Sequence, residues 1–164
     1  RTGALIVVER DTALGDMAET GVEVHAELTA ELLASLFAPG YPLHDGAVIV
    51  SGDEIVAAGV MLPLAERDAS MEQYGTRHRA ALGVTEQTDA LAIVVSEESG
   101  TISLAVGSSI SSDLDENELR QRLYDLLAPV DVSSHARRLS RRRNGGGSTS
   151  SVAADPGTTE AEQR

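Results

Sequence analysis

The chain contains no cysteine and no lysine, and aromatic residues make up only 2% of its 164 residues. The absence of cysteine excludes disulfides, thiolate metal sites and thiol nucleophiles. No apolar run reaches the eighteen or so residues that a transmembrane helix needs, and no signal peptide is visible. With 41% hydrophobic residues and so few aromatics, the core has to be built from Ala, Val, Leu and Ile, which favours the packed aliphatic layers of α/β domains.

Positive charge is scarce as well. All 13 basic residues are arginines, they stand against 26 acidic residues, and the net charge is -13. Residues 1–130 contain 22 acids and seven arginines, and two of those seven are Arg77 and Arg79. The acid excess argues against a general nucleic-acid binder, so no nucleic-acid partner is expected. A local positive spot in such an acidic domain is what an anion site would need.

Hydrophobic patterning predicts a single layered α/β domain over residues 2–129, with a central mixed β-sheet flanked by helices. Short aliphatic runs predict strands over 4–8, 47–50, 54–62, 90–95 and 101–106. The turn residues Ser51-Gly52-Asp53 predict a hairpin between the second and third of these strands, and residues 96–100 predict another between the last two.

Leucines at helical spacing predict helices over 25–37 and 115–127, and a third helix is predicted over 76–86, just beyond Gly75. Residues 9–21 are predicted to form a loop and residues 64–74 a polar connection. After Pro129 the composition changes to a basic run, 137–143, and then to Gly, Ser, Thr, Pro and acids. These residues have almost nothing to bury, so 130–164 is predicted to be a disordered tail.

Asp45 stands where a turn-forming segment enters a predicted buried strand. A carboxylate at a strand end is well placed to face a crevice, where it could bind a divalent cation or activate a hydroxyl nucleophile. The structural alternative is an Asx-turn or a capping residue. Gly46 and Ala47 would let a ligand approach the backbone, although they also suit a tight turn. His44 adds an imidazole, which manganese accepts beside oxygen ligands.

The segment Gly75-Thr76-Arg77-His78-Arg79 places two guanidinium groups around an imidazole at a predicted helix start. Helix N-termini favour anions, and arginine binds phosphate oxygens in a fork. Arg77 and Arg79 do not share a helical face, so one could reach a phosphate while the other braces an acid or contacts a second molecule. The structural alternative is an exposed helix start that pairs with acids such as Glu72 or Glu86.

A third polar segment, Ser96-Glu97-Glu98, ends another predicted strand. Its hydroxyl and carboxylates could meet a nucleotide or a cation, and the structural alternative is a solvated hairpin turn. The glycine-rich loops of P-loop and dinucleotide-binding proteins are absent, and the four histidines lack the spacing of a zinc site.

Together these segments resemble the catalytic domain of the bacterial diadenylate cyclases. The D-G-A motif of that family stands here as Asp45-Gly46-Ala47, and the R-H-R motif stands as Arg77-His78-Arg79. Residues 42–44, 62–64 and 95–100 are similar as well. Each motif is short, but their order and spacing together are specific. The resemblance covers nearly all of the predicted domain, from residue 3 to about residue 127.

The resemblance implies roles for individual residues. Asp45 is expected to bind the metal and to activate the attacking hydroxyl, with His44 as a second metal ligand. Arg77, His78 and Arg79 are expected to act near the phosphates. The other ATP-binding residues that it implies are Gly46, Ala47, Leu62 (through its backbone, against the adenine), Gly75, Thr76, Ser96 and Glu98.

The resemblance also implies the reaction, in which two ATP molecules condense to cyclic di-AMP and release two pyrophosphates with Mg²⁺ or Mn²⁺. Since each ATP attacks the other, a homodimer with facing sites is expected. The motif contexts look like the membrane-anchored type of the family, in which hydrophobic helices precede the catalytic domain, and the start at Arg1 fits their removal. A parent anchored in the cell membrane, with this domain on the cytoplasmic side, is then expected.

Three alternatives remain open at this point. A module that binds ATP or cyclic di-AMP without turnover would keep the phosphate contacts and lose the metal carboxylate. A scaffold domain would use its arginines for ion pairs alone. A nucleic-acid binder would use the basic run 137–143, against the overall acid excess.

Overall fold

The computed structural model describes residues 2–66 and 74–128 of the chain. The chain forms two units, Arg1–Leu127 and Ala128–Arg164, and all the described residues except Ala128 belong to the first. The strands are β1 (Ala4–Val8), β2 (Val22–Glu27), β3 (Ala47–Ser51), β4 (Glu54–Val60), β5 (Leu91–Val95), β6 (Ile102–Val106) and β7 (Ser109–Leu114). The helices are α1 (Gly15–Ala18), α2 (Ala30–Leu36), α3 (Thr76–Gln87) and α4 (Glu116–Leu127). The predicted tail over 130–164 lies outside the described residues and stays a prediction.

The seven strands form one mixed sheet in the order β2-β4-β3-β1-β5-β6-β7. β1 and β3 pair in parallel, whereas the other neighbours pair antiparallel. The parallel pair needs a long crossover, which residues 9–46 supply. The two predicted hairpins are present as β3–β4 and β5–β6, and the predicted class, α/β with a central mixed sheet, is confirmed.

One face of the sheet packs on α3. Leu5 and Val7 of β1 share a buried cluster with Ala80, Ala81 and Val84 of the helix. Because successive strand residues point to opposite faces, this cluster takes every second residue of β1. Small alanines let the helix lie close to the sheet, so the polar first turn of α3 is held near the ends of the strands.

The other face of the sheet packs on α2 and α4. Val48 and Val50 of β3 contact Leu36 and Phe37 at the end of α2. Leucines at helical spacing in α4 cover a third cluster under β5 and β6; the members on the helix are Leu119, Leu123 and Leu126. Helices therefore flank the sheet on both faces, as predicted.

The helix predicted over 25–37 is wrong at its start. His25 belongs to the edge strand β2, and α2 begins only at Ala30. Thr29 is the N-cap of α2, because its side chain accepts a hydrogen bond from the Leu32 N–H at 3.2 Å. The leucine spacing is real, but it extends only over the seven residues of α2. Before it, pairing with β4 decides the conformation, and such pairing is not visible in local periodicity.

Three smaller expectations also needed correction. The segment 9–21 is not all loop, because it contains the short helix α1. The strand predicted over 54–62 ends at Val60, two residues early. The strand β7 was missed, because Ser109–Leu114 is serine-rich and lies at the edge of the sheet, where one row of backbone groups has no neighbouring strand.

The predicted helix over 115–127 is present as α4, and Asp115 caps it. The Glu118 N–H donates to the Asp115 carboxylate at 2.8 Å, and the Asp115 N–H donates to the Glu118 carboxylate at 3.0 Å. This reciprocal arrangement is a capping box, and it satisfies two helix-end donors.

Gly83 is required inside α3 because the chain passes directly over it. A Cβ at this position would overlap the Pro63 carbonyl oxygen and would lie 2.9 Å from the Ala65 nitrogen. Alanine in a helix normally gains about 1 kcal/mol over glycine, but overpacking against backbone costs about 1–3 kcal/mol and here should win.

We therefore expect Gly83→Ala to lower the free energy of unfolding by about 2 kcal/mol, measured by chemical denaturation. The matched control is Gly15→Ala, since a Cβ at Gly15 meets nothing within 4 Å. A stabilised Gly83→Ala protein would contradict the close approach of the Pro63 carbonyl.

Candidate active site

Strand register places Asp45, Gly3 and Ser96 at the same end of the three central strands, and this end is called the site edge of the sheet. Ile6 pairs with Val48 in the parallel pair β1–β3, so both strands begin at the site edge. Ala4 pairs with Val95 in the antiparallel pair β1–β5, so β5 ends there. β3 and β5 flank β1, and neighbouring strands lie about 4.8 Å apart, which puts the backbones at Asp45 and Ser96 about 10 Å from each other.

A cavity of about 700 Å³ opens at this edge, between the first turn of α3 and the turn that joins β5 to β6. Residues 74–78 form one wall and residues 94–98 form the other. The size is typical of small-molecule sites. Of the predicted site residues, those that line it are Gly75, Thr76, Arg77, His78, Ser96 and Glu98. Those that do not are His44, Asp45, Gly46, Ala47, Leu62 and Arg79.

Arg77 is held in place before any ligand binds. Its Nη1 donates to the Glu97 carboxylate at 2.9 Å, and its Nε is buried without a hydrogen-bond partner among the described residues. Gly3 lies directly beneath, where a Cβ would come within 2.7 Å of Nη1. A buried donor without a partner is costly, so an anion that reached Nε would be favoured.

The N-terminus of α3 adds further donors to the same wall. Gly75 occupies the N-cap in an extended conformation, and no side chain caps the helix. In the first turn of a helix the N–H groups lack intrahelical acceptors and carry partial positive charge, which favours phosphate oxygens. The wall therefore combines a fixed guanidinium with a helix N-terminus in a domain that is otherwise acidic.

His78 lies on the cavity wall with its ring stacked on Tyr74, at 5.2 Å between centroids. Its Nε2 lies 3.4 Å from the hydroxyl of Ser103, which is fully buried and donates in turn to Ser112 at 3.3 Å. Burial lowers the pKa of His78 below the ordinary value for histidine of about 6.5. His78 is therefore neutral at pH 7 and offers one N–H and one lone pair.

The lowered pKa of His78 predicts a pH dependence of stability. The unfolded chain takes up a proton near pH 6.5, whereas folded His78 does so only at lower pH, so stability should fall as the pH drops below about 6.5. We expect the difference in melting temperature, wild type minus His78→Gln, to be larger at pH 7.5 than at pH 5. A difference that is the same at both pH values would contradict the burial of the ring.

Arg79 has a different position from Arg77. Its Nε and Nη2 donate to the Ala65 carbonyl oxygen at 3.3 and 3.0 Å. The two arginines thus contact different groups, as their spacing predicts, but Arg79 contacts a backbone carbonyl and not an acid. Arg77 pairs with Glu97 and not with Glu86, and Glu72 lies outside the described residues. A direct role for Arg79 at the phosphates stays a prediction.

The turn from Ser96 to Gly100 is built by its own hydrogen bonds. The Ser96 hydroxyl accepts from the Ser99 N–H at 3.2 Å, and the Ser96 carbonyl accepts from the Gly100 N–H at 2.8 Å. The segment is therefore a hairpin turn, as the structural alternative predicted, and residues 96–98 of it also form part of the cavity wall. Glu97 was singled out less clearly than its neighbours, yet it is the residue that orients Arg77.

Asp45 is exposed beside the cavity, at the start of β3. Gly46 follows with φ +151°, and a Cβ there would lie 2.5 Å from the Gly59 carbonyl carbon, so only glycine fits. Among residues 2–66 and 74–128 there is no group of three or more acidic, histidine or cysteine side chains that could hold a metal ion. A single carboxylate such as that of Asp45 can hold a cation only together with other ligands, and Mg²⁺ is commonly bound by one or two carboxylates and substrate phosphates.

His44 is compatible with the same cation. Its Nδ1 donates to the Tyr41 carbonyl oxygen, which leaves the Nε2 lone pair available. Metal-binding histidines usually donate their second ring N–H to a carbonyl or a carboxylate in this way. The carboxylate of Asp45 and the imidazole of His44 are thus donors that fit a divalent cation, whose remaining ligands would come from a bound phosphate or water.

Sequence comparison decides the family. The family described as DisA bacterial checkpoint controller nucleotide-binding, abbreviated DAC, matches residues 1–110. The chain belongs to this family. The DAC match covers both short motifs and the hairpin turn at residues 96–100. All the residues that line the cavity therefore lie within the matched region.

Individual relatives agree with the DAC assignment. A diadenylate cyclase of Listeria monocytogenes serotype 1/2a (strain 10403S) is 48% identical over 130 residues, which are 79% of this chain and 48% of that protein. The chain thus spans about half the length of the curated relatives it matches.

Solved structures show the same fold. DacA from Staphylococcus aureus, crystallised as an N166C/T172C double mutant, matches with a TM-score of 0.75 and 40% identity over 78% of this chain and 85% of that chain. A protein of Bacillus cereus described as hypothetical and membrane spanning matches with a TM-score of 0.66 and 49% identity over 69% and 55% of the two chains. None of the helices in the described part of this chain has the length and apolarity needed to cross a bilayer.

Proposed function

We propose that this DAC domain is a diadenylate cyclase that condenses two ATP molecules into cyclic di-AMP. The observation that supports the proposal is the register at the start of β1, which brings Gly3, directly beneath Arg77, level with Asp45 on the neighbouring strand. The name of the Listeria relative supports the same reaction. A triphosphate at the α3 N-terminus would lie within reach of the carboxylate.

In this reaction the 3′-hydroxyl oxygen of each ATP forms a bond to the α-phosphorus of the other. The bond between that phosphorus and the bridging oxygen to the β-phosphate breaks, and pyrophosphate leaves. Each hydroxyl loses one proton, and Asp45 is the group that would hold the hydroxyl and accept that proton. Two such steps close the ring and release two pyrophosphates.

Phosphoryl transfer of this kind depends on positioning and on neutralising charge. Arg77 and the N–H groups of the α3 first turn would bind the phosphates, and Glu97 would keep the guanidinium oriented. Ser96 and Glu98 would line the nucleotide side of the cavity, and the backbone of Leu62 would meet the adenine. A divalent cation at Asp45 and His44, Mg²⁺ or Mn²⁺, would neutralise developing charge and lower the pKa of the attacking hydroxyl.

A homodimer follows from the chemistry, because one site holds one ATP and cannot close the ring alone. We also propose that the longer parent protein is anchored in the cell membrane by helices outside this chain, with the cyclase domain on the cytoplasmic side. The Bacillus cereus neighbour, described as membrane spanning, supports this arrangement.

The test is the product that the purified chain makes from ATP with Mn²⁺ or Mg²⁺, identified by mass. Cyclic di-AMP should form, and the rate per protomer should rise with protein concentration until the dimer is saturated. Binding of ATP without any product would support a non-catalytic binding module. The absence of a thermal shift on adding ATP would support the scaffold alternative.

A further inference from the structure

Residues 61–65 form a connecting segment, here called the base strap, which follows β4 and starts beside Asp45; none of the five lines the cavity. Ala47 pairs with Val60, so the strap leaves β4 directly beside Gly46 and Asp45. Its side chains are apolar, and Met61 and Leu64 are 68% and 47% exposed. Exposed apolar side chains suit the flat face of a nucleotide base, whose polar edge then has to meet backbone groups.

The far end of the strap is anchored to α3. The Arg79 guanidinium donates to the Ala65 carbonyl, and the Ala65 N–H donates to the Arg79 carbonyl at 3.0 Å. Between these contacts Gly83 lets the Pro63 carbonyl lie against the helix. This end of the strap therefore cannot shift without breaking charge-assisted hydrogen bonds.

The near end of the strap is anchored by one side chain, that of Thr20. Its hydroxyl oxygen accepts from the Met61 N–H at 3.0 Å and lies 3.2 Å from the Met61 carbonyl oxygen. The same hydroxyl donates to the Met17 carbonyl at 2.7 Å, within the turn that ends α1. Thr20 thus joins the Met61 N–H to the turn that ends α1.

Thr20 is exposed, but the chain on both sides of it is closely packed. A Cβ on the next residue, Gly21, would lie 2.6 Å from the Ala58 carbonyl oxygen and 2.7 Å from Val60, so the chain is pressed against the end of β4. On the other side, Leu14 and Ala18 of the α1 region are buried in the core. A hydroxyl on such a segment can fix the position of the backbone it contacts.

We propose that Thr20 is a positioning residue for the nucleotide base. By holding Met61, it holds the peptide groups of Leu62 where they meet the adenine edge. This inference rests on the proposed function, in which Leu62 contacts the base. Thr20 lies outside both motifs and more than twenty residues before the first, and it acts through the strap without contact to the reacting atoms.

The experiment compares Thr20→Val, which removes the hydroxyl at nearly constant shape, with Thr20→Ser, which keeps it. The matched control is Thr88→Val, because the Thr88 hydroxyl likewise donates to a carbonyl, at 2.8 Å to Val84, and accepts from an N–H, at 3.3 Å from Ala90, but lies at the far end of α3. The probe is 3′-deoxy-ATP with Mg²⁺, which lacks the attacking hydroxyl and reports binding alone.

We expect Thr20→Val to raise the Kd for 3′-deoxy-ATP and the KM for ATP about three- to tenfold, with kcat within about twofold. The preference for 3′-deoxy-ATP over 3′-deoxy-GTP should fall with it, whereas damage to the phosphate site would weaken both nucleotides equally. Thr20→Ser and Thr88→Val should remain within about twofold of the wild type in each measurement.

Equal Kd values and equal base preference in Thr20→Val and the wild type would overturn the role of Thr20. So would a loss of affinity that Thr88→Val shares, since that would reflect general destabilisation. A wild-type protein that binds 3′-deoxy-ATP but makes no cyclic di-AMP would contradict the proposed activity, and the Kd comparison would still decide the role of Thr20. A wild-type protein that binds neither nucleotide would contradict both.

Discussion

Asp45→Asn is expected to lower the yield of cyclic di-AMP by about a thousandfold while the fold is kept. Asparagine has nearly the same size but carries no negative charge, so it neither binds a divalent cation well nor accepts the hydroxyl proton. Because Asp45 is exposed, its substitution should shift the melting temperature by no more than about 3 °C. The measurements are product quantified by mass and thermal unfolding followed by circular dichroism.

The matched control for this experiment is Asp53→Asn. Asp53 is also exposed and lies in the turn between β3 and β4, at the opposite end of the strand that follows Asp45. It should keep wild-type activity. Wild-type yield from Asp45→Asn would refute the role of this carboxylate, and an unfolded variant would show that Asp45 is structural instead.

Arg77→Ala is expected to reduce kcat/KM for ATP by about a hundredfold or more. Each hydrogen bond to a charged group contributes about 1.5–3 kcal/mol, and under the proposed function the guanidinium would make more than one to a phosphate. The cost in stability should be small. Among the described residues, Glu97 is the acid that loses its partner, and ion pairs with an exposed carboxylate contribute about 0–1 kcal/mol.

Arg120→Ala provides the comparison for Arg77→Ala, because Arg120 also forms an ion pair, with Glu116 at 2.6 Å, but on the exposed surface of α4. Its kinetics should match those of the wild type. If Arg77→Ala instead unfolds at much lower temperature while the folded fraction retains normal kinetics, Arg77 is a structural residue.

Buried strands were the best predicted part of the fold. The aliphatic runs at β1, β3 and β5 pack on both faces, and a strand in the middle of a sheet needs little beyond such a run. The edge strands β2 and β7 were missed because their residues are largely exposed and polar. What holds them is pairing with a neighbour, which local sequence does not encode.

In the candidate site, too, some features were visible in the sequence and others depended on the tertiary structure. The basic triplet and the acid at residue 45 were visible as motifs, but nothing in the spacing distinguishes Arg77 from Arg79. The first turn of α3 decides between them, because it directs one guanidinium to Glu97 in the cavity and the other to the Ala65 carbonyl. Tyr74 carried a weak signal, as one of four aromatic residues and beside the motif. Ser103 carried none.

The amino-acid sequence by itself determined the class of the domain, the aliphatic core, the acidic surroundings and the chemical groups that a nucleotide site requires. These follow from composition and from short-range spacing, which act through burial and charge. The tertiary structure decided which groups share one edge, since the parallel pairing of β1 with β3 joins residues about forty positions apart. It also decided that Glu97 and Gly3 hold Arg77 in the cavity wall, because both contacts join residues that are far apart in the chain.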